Sequence, residues 1–350
     1  MKTISSGIGA LSLLAVGAAA AQADDFSANP HALIVTASNT ASNALLVYDE
    51  SAHLIRQIPT EGQGGASGNA GGISQNHDRL AVVNFGSGNV SVFTKDFPRA
   101  SLRLESLVPA ITSPVSVAFG RDHLYILTTT HVESHRIDRN GVEATADGAA
   151  ALLIGDGSAA QVGTLRGRLI LSEKSNAIET VNLNDRGAIA GTASLVSNIP
   201  ANVNAPFGLA TRGNDAYVTI AHANEISLVR DEAVLTVTGS GTQHAPCWVT
   251  LDGPFLFSAN SPSRTVSRYA VYGKKIIQDA AIVAAFNGNP TDITYHDRQA
   301  AVVDGDGTVS HVSIFAVDED GQFTLTGLAT INNVATNGIA IVVEEGGVNN

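Results

Sequence analysis

Short apolar segments alternate with polar turns along almost the whole chain, and no stretch has the apolar spacing of an amphipathic helix. One pattern recurs at intervals of about 40 to 48 residues: a start of small residues or proline, then three apolar strands separated by polar turns. Clear copies contain the segments Gly71–Ser74, Leu80–Asn84 and Val90–Phe93, and Pro246–Val249, Phe255–Ser258 and Thr265–Tyr269. Short segments of this composition, bounded by Gly, Asn and Asp, are typical of β-strands.

The second strands of the copies give the number of repeats. They begin near Leu33, Leu80, Leu124, Leu169, Ala216, Phe255 and Ala300. Seven β-rich repeats of this length predict an all-β fold, a seven-bladed β-propeller in which each repeat forms one four-stranded blade. Helical solenoid repeats of similar length would show helical periodicity, which this chain lacks.

The two ends of the repeat array complement each other. The first repeat starts at its second strand, His31–Val35, whereas Asn337–Val343 has the pattern of a first strand such as Pro206–Ala210. A C-terminal strand that completes the first blade would pair the two open sheet edges and close the ring. Because Cys247 is the single cysteine, no internal disulfide can form, and the ring must be held by burial and strand pairing.

The N-terminal residues have the organisation of a signal peptide. Met1-Lys2 leads into an apolar stretch that ends at the small residues of Ala21-Gln22-Ala23. We therefore expect residues 1–23 to be a signal peptide, residues 24–345 to form the propeller and residues 346–350 to be a short tail. The protein is predicted to be secreted, to the extracellular space or the periplasm. No later segment approaches the roughly 20 apolar residues of a membrane-spanning helix, so no membrane partner is expected.

Charge and motif content exclude several kinds of partner. Lys and Arg number 20 against 32 Asp and Glu, a net charge of −12, so no nucleic-acid partner is expected. No cofactor is expected either, because no helix pattern follows the glycine-rich segment Gly62–Gly72, which we interpret as a loop.

We also predict no metal site. His131, Glu133 and His135 share a strand face but lack a fourth zinc ligand, while Asp304–Thr308 lacks the glutamate of a calcium loop.

Several segments carry a family resemblance. They are Leu171–Lys174, Ala177–Thr180, Ala205–Gly208, Ala245–Val249, Ser258–Asn260 and Thr265–Ser267. These segments resemble the lactonase-like β-propeller family, which includes 6-phosphogluconolactonase and fungal carboxymuconate cyclase. The likeness covers nearly the whole chain after the signal peptide. It implies a site in the central pore, where His, Glu and Arg side chains act on a lactone or a carboxylated precursor. The chain departs from the family in lacking a His-Pro-His motif, and Val218–His222 carries no glutamate.

Polar side chains occur where several second strands end. Because the loops after second strands lie on one face of a propeller, these residues are expected to form a ring around the axis. The ring positions are Ala37, Asn84, Thr128, Glu173, Ile220, Asn260 and Asp304. Glu173 is the predicted general base, since a carboxylate withdrawn from water can accept a proton at neutral pH. The alternative is that it pairs with Lys174 or caps a loop. Asp304 is expected to share its cavity and contact the substrate.

Histidine, arginine and asparagine side chains complete the predicted site. His244 precedes a first strand of the same face and His131 lies in the third repeat, where either imidazole could transfer a proton during ring opening or closure. Arg264 could bind a substrate carboxylate through two hydrogen bonds, and Asn84 and Asn260 could orient a carbonyl. Each has a structural alternative as a solvent-exposed side chain or as a residue that satisfies loop backbone groups.

Together these residues favour an exported enzyme that opens a lactone by hydrolysis or closes one by carboxymuconate-type cyclisation. Its partner would be a small lactone or carboxylate substrate. Two alternatives stay open: a non-catalytic propeller that binds a protein, a glycan or a small ligand, and a surface antigen that has lost an ancestral activity. A cavity shared by Glu173 and a histidine would favour the enzyme, and a plugged pore would favour the binding protein.

Overall fold

The apolar segments of the sequence form seven antiparallel sheets in the computed structural model, which describes residues 32–96, 101–199, 205–332 and 336–343. Each sheet is one blade, and in six of them the strands follow chain order from the first strand outward. This arrangement confirms the all-β, seven-bladed β-propeller. The predicted signal peptide, residues 1–23, and the predicted tail, residues 346–350, lie outside the described residues.

The strand bounds follow the repeats. Blades 1 and 2 contain β1 (Ala32–Ala37), β2 (Ala44–Tyr48), β3 (Leu54–Pro59), β4 (Ile73–Gln75), β5 (Arg79–Asn84), β6 (Asn89–Asp96) and β7 (Ser101–Pro109). Blades 3 and 4 contain β8 (Pro114–Phe119), β9 (His123–Thr128), β10 (His131–Asp138), β11 (Gly141–Val142), β12 (Gly148–Ala151), β13 (Ala159–Leu165), β14 (Arg168–Glu173), β15 (Ala177–Asn182) and β16 (Ser194–Leu195). Blades 5 to 7 contain β17 (Pro206–Arg212), β18 (Asp215–Ile220), β19 (Glu225–Arg230), β20 (Ala233–Gly239), β21 (Pro246–Asp252), β22 (Phe255–Asn260), β23 (Thr265–Tyr272), β24 (Lys275–Ala285), β25 (Asn289–His296), β26 (Gln299–Gly305), β27 (Val309–Val317) and β28 (Phe323–Asn332). The last described strand is β29 (Asn337–Val343), and a 3₁₀ turn, Ala221–Ala223, follows β18.

Strand β29 closes the ring by completing blade 1, as predicted. The sheet order of that blade is β29-β1-β2-β3, and Ile341 pairs with Ile34 in an antiparallel register. The Thr36 hydroxyl donates to the Gly338 carbonyl at 2.6 Å. On its other side, β29 meets blade 7, where the buried Asp292 carboxylate accepts a hydrogen bond from the Ile339 backbone. Direct contacts with β1 of blade 1 and with Asp292 of blade 7 therefore hold the closing strand in place.

Apolar interfaces between neighbouring blades hold the ring together. The second strands are buried on both faces; β9, for example, has no exposed residue. Tyr125 and Leu127 of β9 belong to the same buried cluster as Leu169 and Leu171 of β14. Burying such side chains contributes about 1.5–3 kcal/mol each, so each interface adds substantially to stability. The candidate functional site lies at the edge of the interface between blades 3 and 4.

Cys247 lies on β21, the first strand of blade 6, where it is partly buried beside an apolar cluster that contains Trp248. Burial raises the pKa of the Cys247 thiol to about 12. The thiol is therefore protonated at neutral pH, which is the unreactive form. Within the described ranges, no helix is long and apolar enough to cross a membrane.

Candidate functional site at the edge of blades 3 and 4

Two of the polar ring residues, Asn84 and Glu173, lie against the preceding blade. Asn84 shows this directly, because its Oδ1 accepts hydrogen bonds from Asn43 Nδ2 at 2.9 Å and Thr60 Oγ1 at 2.8 Å, both in blade 1. Glu173 shares a strand face with Leu169 and Leu171, whose side chains pack against blade 3. These two side chains therefore lie at blade interfaces.

Asn84 and Asn260 are engaged in similar networks within their blades. Asn84 Nδ2 donates to Ser91 Oγ at 2.7 Å, and Asn260 Nδ2 donates to Ser267 Oγ at 2.8 Å. Both asparagines are fully buried. These contacts fit the structural alternative, in which the amide satisfies groups of its own blade. Their role in orienting a substrate stays a prediction.

Blade 4 has carboxyl groups at both of these positions. Glu173 replaces the asparagine at the end of the second strand, and Glu179 replaces the serine on the third strand. Both side chains are fully buried and lie beside each other. Glu179 was not identified from the sequence, although aligning Ala177–Thr180 with the Val-Ser pairs at Ser91 and Ser267 would have revealed the exchange.

A proton must be shared between these two carboxyl groups. Burial, a hydrogen bond with Glu173 and the negative charge of Glu173 raise the pKa of Glu179 to about 8. Two carboxylates this close cannot both ionise at neutral pH without a large energetic cost. The raised pKa of Glu179 means that the pair retains a proton at pH 7, and Glu179 is hydrogen-bonded to Glu173.

The connection between blades 3 and 4 covers the pair with backbone amides. The Leu153 N–H donates to Glu179 Oε1 at 2.9 Å, and the Gly155 N–H donates to Glu173 Oε2 at 3.1 Å. Glu173 Oε1 is buried and has no hydrogen-bond partner among the described residues. This covering segment is thin, and the side chain of Leu153 is 50% exposed. A movement of a few residues would thus open the pair to solvent.

The predicted site residues lie in different blades. His131 is half-buried in blade 3, with Nδ1 2.9 Å from Thr130 Oγ1, while His244 is exposed before blade 6. Asp304 lies in blade 7, where its Oδ1 is 2.7 Å from His311 Nδ1. Burial raises the pKa of Asp304, although His311 opposes the shift.

Arg264 lies in blade 6, exposed in the turn after β22, with Nε 3.4 Å from Asn289 Oδ1. Of the two predicted histidines, His131 adjoins the covering segment, since Leu152 N–H donates to Thr130 O at 2.9 Å.

The glycine-rich segment Gly62–Gly72 plugs the mouth of the pore on the face where the ring lies. Its residues Asn69 and Ala70 contact the first strands of several blades. Asn69 Nδ2 donates to Val115 O of blade 3 at 2.5 Å, and Ala70 N–H donates to Ala160 O of blade 4 at 3.1 Å. From blade 6, Trp248 Nε1 donates to Asn69 O at 3.1 Å. The segment, interpreted from the sequence only as a loop, therefore spans the axis.

Lys174 fastens the plug to blade 4. Its Nζ donates to Gly68 O at 2.5 Å and to Ala159 O at 3.3 Å, and lies 5.9 Å from the centre of the Phe207 ring. No carboxylate forms an ion pair with it among the described residues. Burial lowers the pKa of Lys174, and Asp156 opposes the shift. Lys174 directly follows Glu173, so the plug and the carboxyl pair are adjacent.

No metal centre is evident in the part of the chain that the structure describes, where no three His, Cys, Asp or Glu residues group around a common point. On the strand face of His131, Glu133 and His135, the Glu133 carboxylate is engaged by protein groups. Glu133 Oε1 accepts from Ile111 N–H at 2.8 Å, and its Oε2 lies 3.4 Å from His135 Nε2. Glu133 thus holds an inter-blade connection, as Glu179 does in the next blade.

Comparison with solved structures identifies the same fold in lactonase-like proteins. The sequence matches no protein-family model and no curated protein. A putative 6-phosphogluconolactonase from Bacteroides fragilis is 14% identical with a TM-score of 0.64, over 91% of this chain and 100% of that chain. One from Bacteroides uniformis is 14% identical with a TM-score of 0.66, over 89% and 100%. The periplasmic gluconolactonase of Pseudomonas aeruginosa is 14% identical with a TM-score of 0.62, over 89% and 99%. At these identities the likeness confirms the lactonase-like resemblance for the fold alone.

Proposed function

We propose that the protein acts on a lactone at the edge of blades 3 and 4, and that Glu173 and Glu179 transfer the protons. The observation that carries this proposal is the buried carboxyl pair, which combines a general base and a general acid at neutral pH. The fold likeness to proteins described as gluconolactonase and 6-phosphogluconolactonase supports a lactone as the substrate class. A periplasmic protein among them also supports the predicted export.

The pair can supply both proton transfers of lactone hydrolysis. Water adds to the carbonyl carbon of the lactone while Glu173 accepts one proton from that water. The bond between this carbon and the ring oxygen then breaks, and Glu179 gives its proton to the leaving oxygen. The product is the open hydroxy acid, and return of the proton from Glu173 to Glu179 restores the pair. The reverse sequence closes a hydroxy acid to its lactone with release of one water.

Substrate entry requires the plug to move. Lifting residues 68–70 would release Lys174 Nζ from Gly68 O, next to Glu173. The freed ammonium group could then stabilise the negative charge that develops on the carbonyl oxygen. In this proposal His131 is the histidine closest to the reaction, whereas His244, Arg264, Asn84, Asn260 and Asp304 would contact only a larger substrate.

Replacing Glu173 by Gln should lower lactone turnover by roughly a hundredfold or more, the range for losing a general base. The measurement is the rate of ring opening across a panel of lactones, for wild type and Glu173→Gln. Glu133→Gln is the matched control, because Glu133 is equally buried and also accepts a loop amide, but does not adjoin a second carboxyl group. Equal rates for wild type and Glu173→Gln on an accepted lactone would disprove the proposed role.

The plugged pore favours a second candidate, a non-catalytic propeller that binds a small ligand, a glycan or a protein on the plugged face. The contacts of Asn69, Ala70 and Lys174 close the mouth from several blades. In this case a lactone or its hydroxy acid would raise the melting temperature of the protein without being turned over. Absence of turnover by the wild type, together with such stabilisation, would favour the binding protein over the enzyme.

A further inference from the structure

A polar cleft lies on the opposite face of the propeller, between blades 3 and 4. It has a volume of about 780 Å³ and is lined by residues of the β8–β9 turn, including Arg121, and by the turn that contains Arg186. His123, the first residue of β9, also lines it, whereas Glu173 is the last residue of its strand. Because second strands run in the same direction in every blade, the cleft and the carboxyl pair are on opposite faces. The cleft is large enough for a monosaccharide or a disaccharide.

A chain of hydrogen bonds builds one wall of the cleft. Ser134 Oγ donates to Asp147 Oδ1 at 2.7 Å, and His123 Nε2 lies 2.8 Å from Asp147 Oδ2. The pKa of Asp147 is lowered: partial burial raises it, but the hydrogen bonds from His123 and Ser134 outweigh this effect. The His123 side chain is 3% exposed, and its Nδ1 has no hydrogen-bond partner among the described residues. Nδ1 is buried against Gly187, so the contact between His123 and Asp147 fixes the wall of the cleft and leaves the Asp147 carboxylate as the polar group on that side.

Three arginines give the cleft its cationic groups. They are Arg121, Arg136 and Arg186. Arg121 lies 3.7 Å from Asp122, but Arg136 and Arg186 form no ion pair with any described residue. Free guanidinium groups are the preferred partners of a carboxylate, which they bind through two hydrogen bonds. A single carboxylate on the ligand would therefore be recognised.

The remaining lining restricts the ligand further. Four carboxylates, Asp122, Glu143, Asp147 and Asp185, also line the cleft and disfavour a polyanion such as a nucleotide. Ile137 and Ala188 are the only apolar side chains in the lining, so an apolar ligand would gain little from burial there. Carboxylate and amide groups do suit a ligand with several hydroxyl groups.

We propose that this cleft is a binding site for a sugar acid, a polyhydroxylated compound with one carboxylate. The exposed arginines hold the carboxylate, and the acidic side chains that line the cleft accept hydrogen bonds from the hydroxyl groups. Binding at this cleft does not depend on the lactone chemistry at the other face. A protein without lactone turnover would still bind the sugar acid here.

The test uses D-gluconate as the probe and D-glucose as its uncharged counterpart, with binding measured by isothermal titration calorimetry on the full-length exported protein. Wild type should bind D-gluconate in a saturable, one-to-one manner and D-glucose at least tenfold more weakly. The double variant Arg136→Gln/Arg186→Gln should lose at least tenfold in D-gluconate affinity, and Asp147→Asn should weaken it as well. Arg103→Gln is the matched control, since Arg103 is exposed on the outer strand of blade 2.

Glu173→Gln should bind D-gluconate as wild type does, which separates this site from the proposed lactone site. The proposal is overturned if D-gluconate shows no saturable binding at millimolar concentration. It is also overturned if the double arginine variant binds as tightly as Arg103→Gln, or if D-glucose binds as tightly as D-gluconate.

Discussion

A chain that ends at Thr336 should lose cooperative unfolding, because it lacks the strand that closes the ring. Strand β29 buries Ile339 and Ile341 almost completely against blade 7, and Val342 against blade 2. At about 1.5–3 kcal/mol for each side chain, their burial contributes about 5–9 kcal/mol. This is comparable with the whole stability of a typical domain, about 5–15 kcal/mol. The truncation also leaves the backbone groups of β1 unpaired along a new sheet edge.

Thermal and urea denaturation followed by circular dichroism measure this effect. The matched control is a chain that ends at Val343, which keeps β29 and should unfold in one transition near the wild-type midpoint. A sharp transition for the chain ending at Thr336, within a few degrees of the control, would show that the blade 1 closure does not hold the ring together.

The protein should become less stable as the pH rises from about 4.5 to about 8, and Glu179→Gln should remove part of this loss. The folded-state pKa of Glu179 is raised to about 8 from 4.5, so the folded protein retains a proton that the unfolded chain releases. This contribution to stability is fully present below pH 4.5 and disappears as the pH rises through 8. At its steepest, a single such group costs about 1.4 kcal/mol per pH unit.

The measurement is the urea midpoint of wild type and Glu179→Gln at a series of pH values. Asp292 contributes in the same direction, since burial raises its pKa to about 7, so only the difference between the two proteins isolates Glu179. Glu143→Gln is a suitable control because its side chain is exposed. If Glu179→Gln has the same pH profile as wild type, the two carboxyl groups do not share a proton.

The sequence was sufficient to predict the fold, because each blade repeats the same pattern of strands and turns. It also located the ends of the second strands: Asn84, Glu173 and Asn260 are the last residues of β5, β14 and β22. The closing strand could be predicted because the first repeat lacks a first strand and the C-terminus supplies one.

The site was harder to predict because the second strands are buried on both faces. A strand such as β9 shows no alternation of polar and apolar residues, so the sequence does not reveal which blade a side chain faces. Glu173 was therefore placed at the pore, whereas it lies in the blade 3–4 interface beside Glu179. The plug was missed for a different reason: Gly62–Gly72 has no periodic pattern, and its contacts with Trp248 and Lys174 join residues far apart in sequence.

A crystal structure with glucono-δ-lactam, a lactone analogue that resists hydrolysis, would show whether a lactone binds beside Glu173 when the plug lifts. We expect the lactam ring next to the Glu173 and Glu179 carboxyl groups, with residues 68–70 displaced and Lys174 Nζ released from Gly68 O. A structure with the plug in place and the lactam bound only elsewhere, at the opposite cleft or not at all, would contradict it.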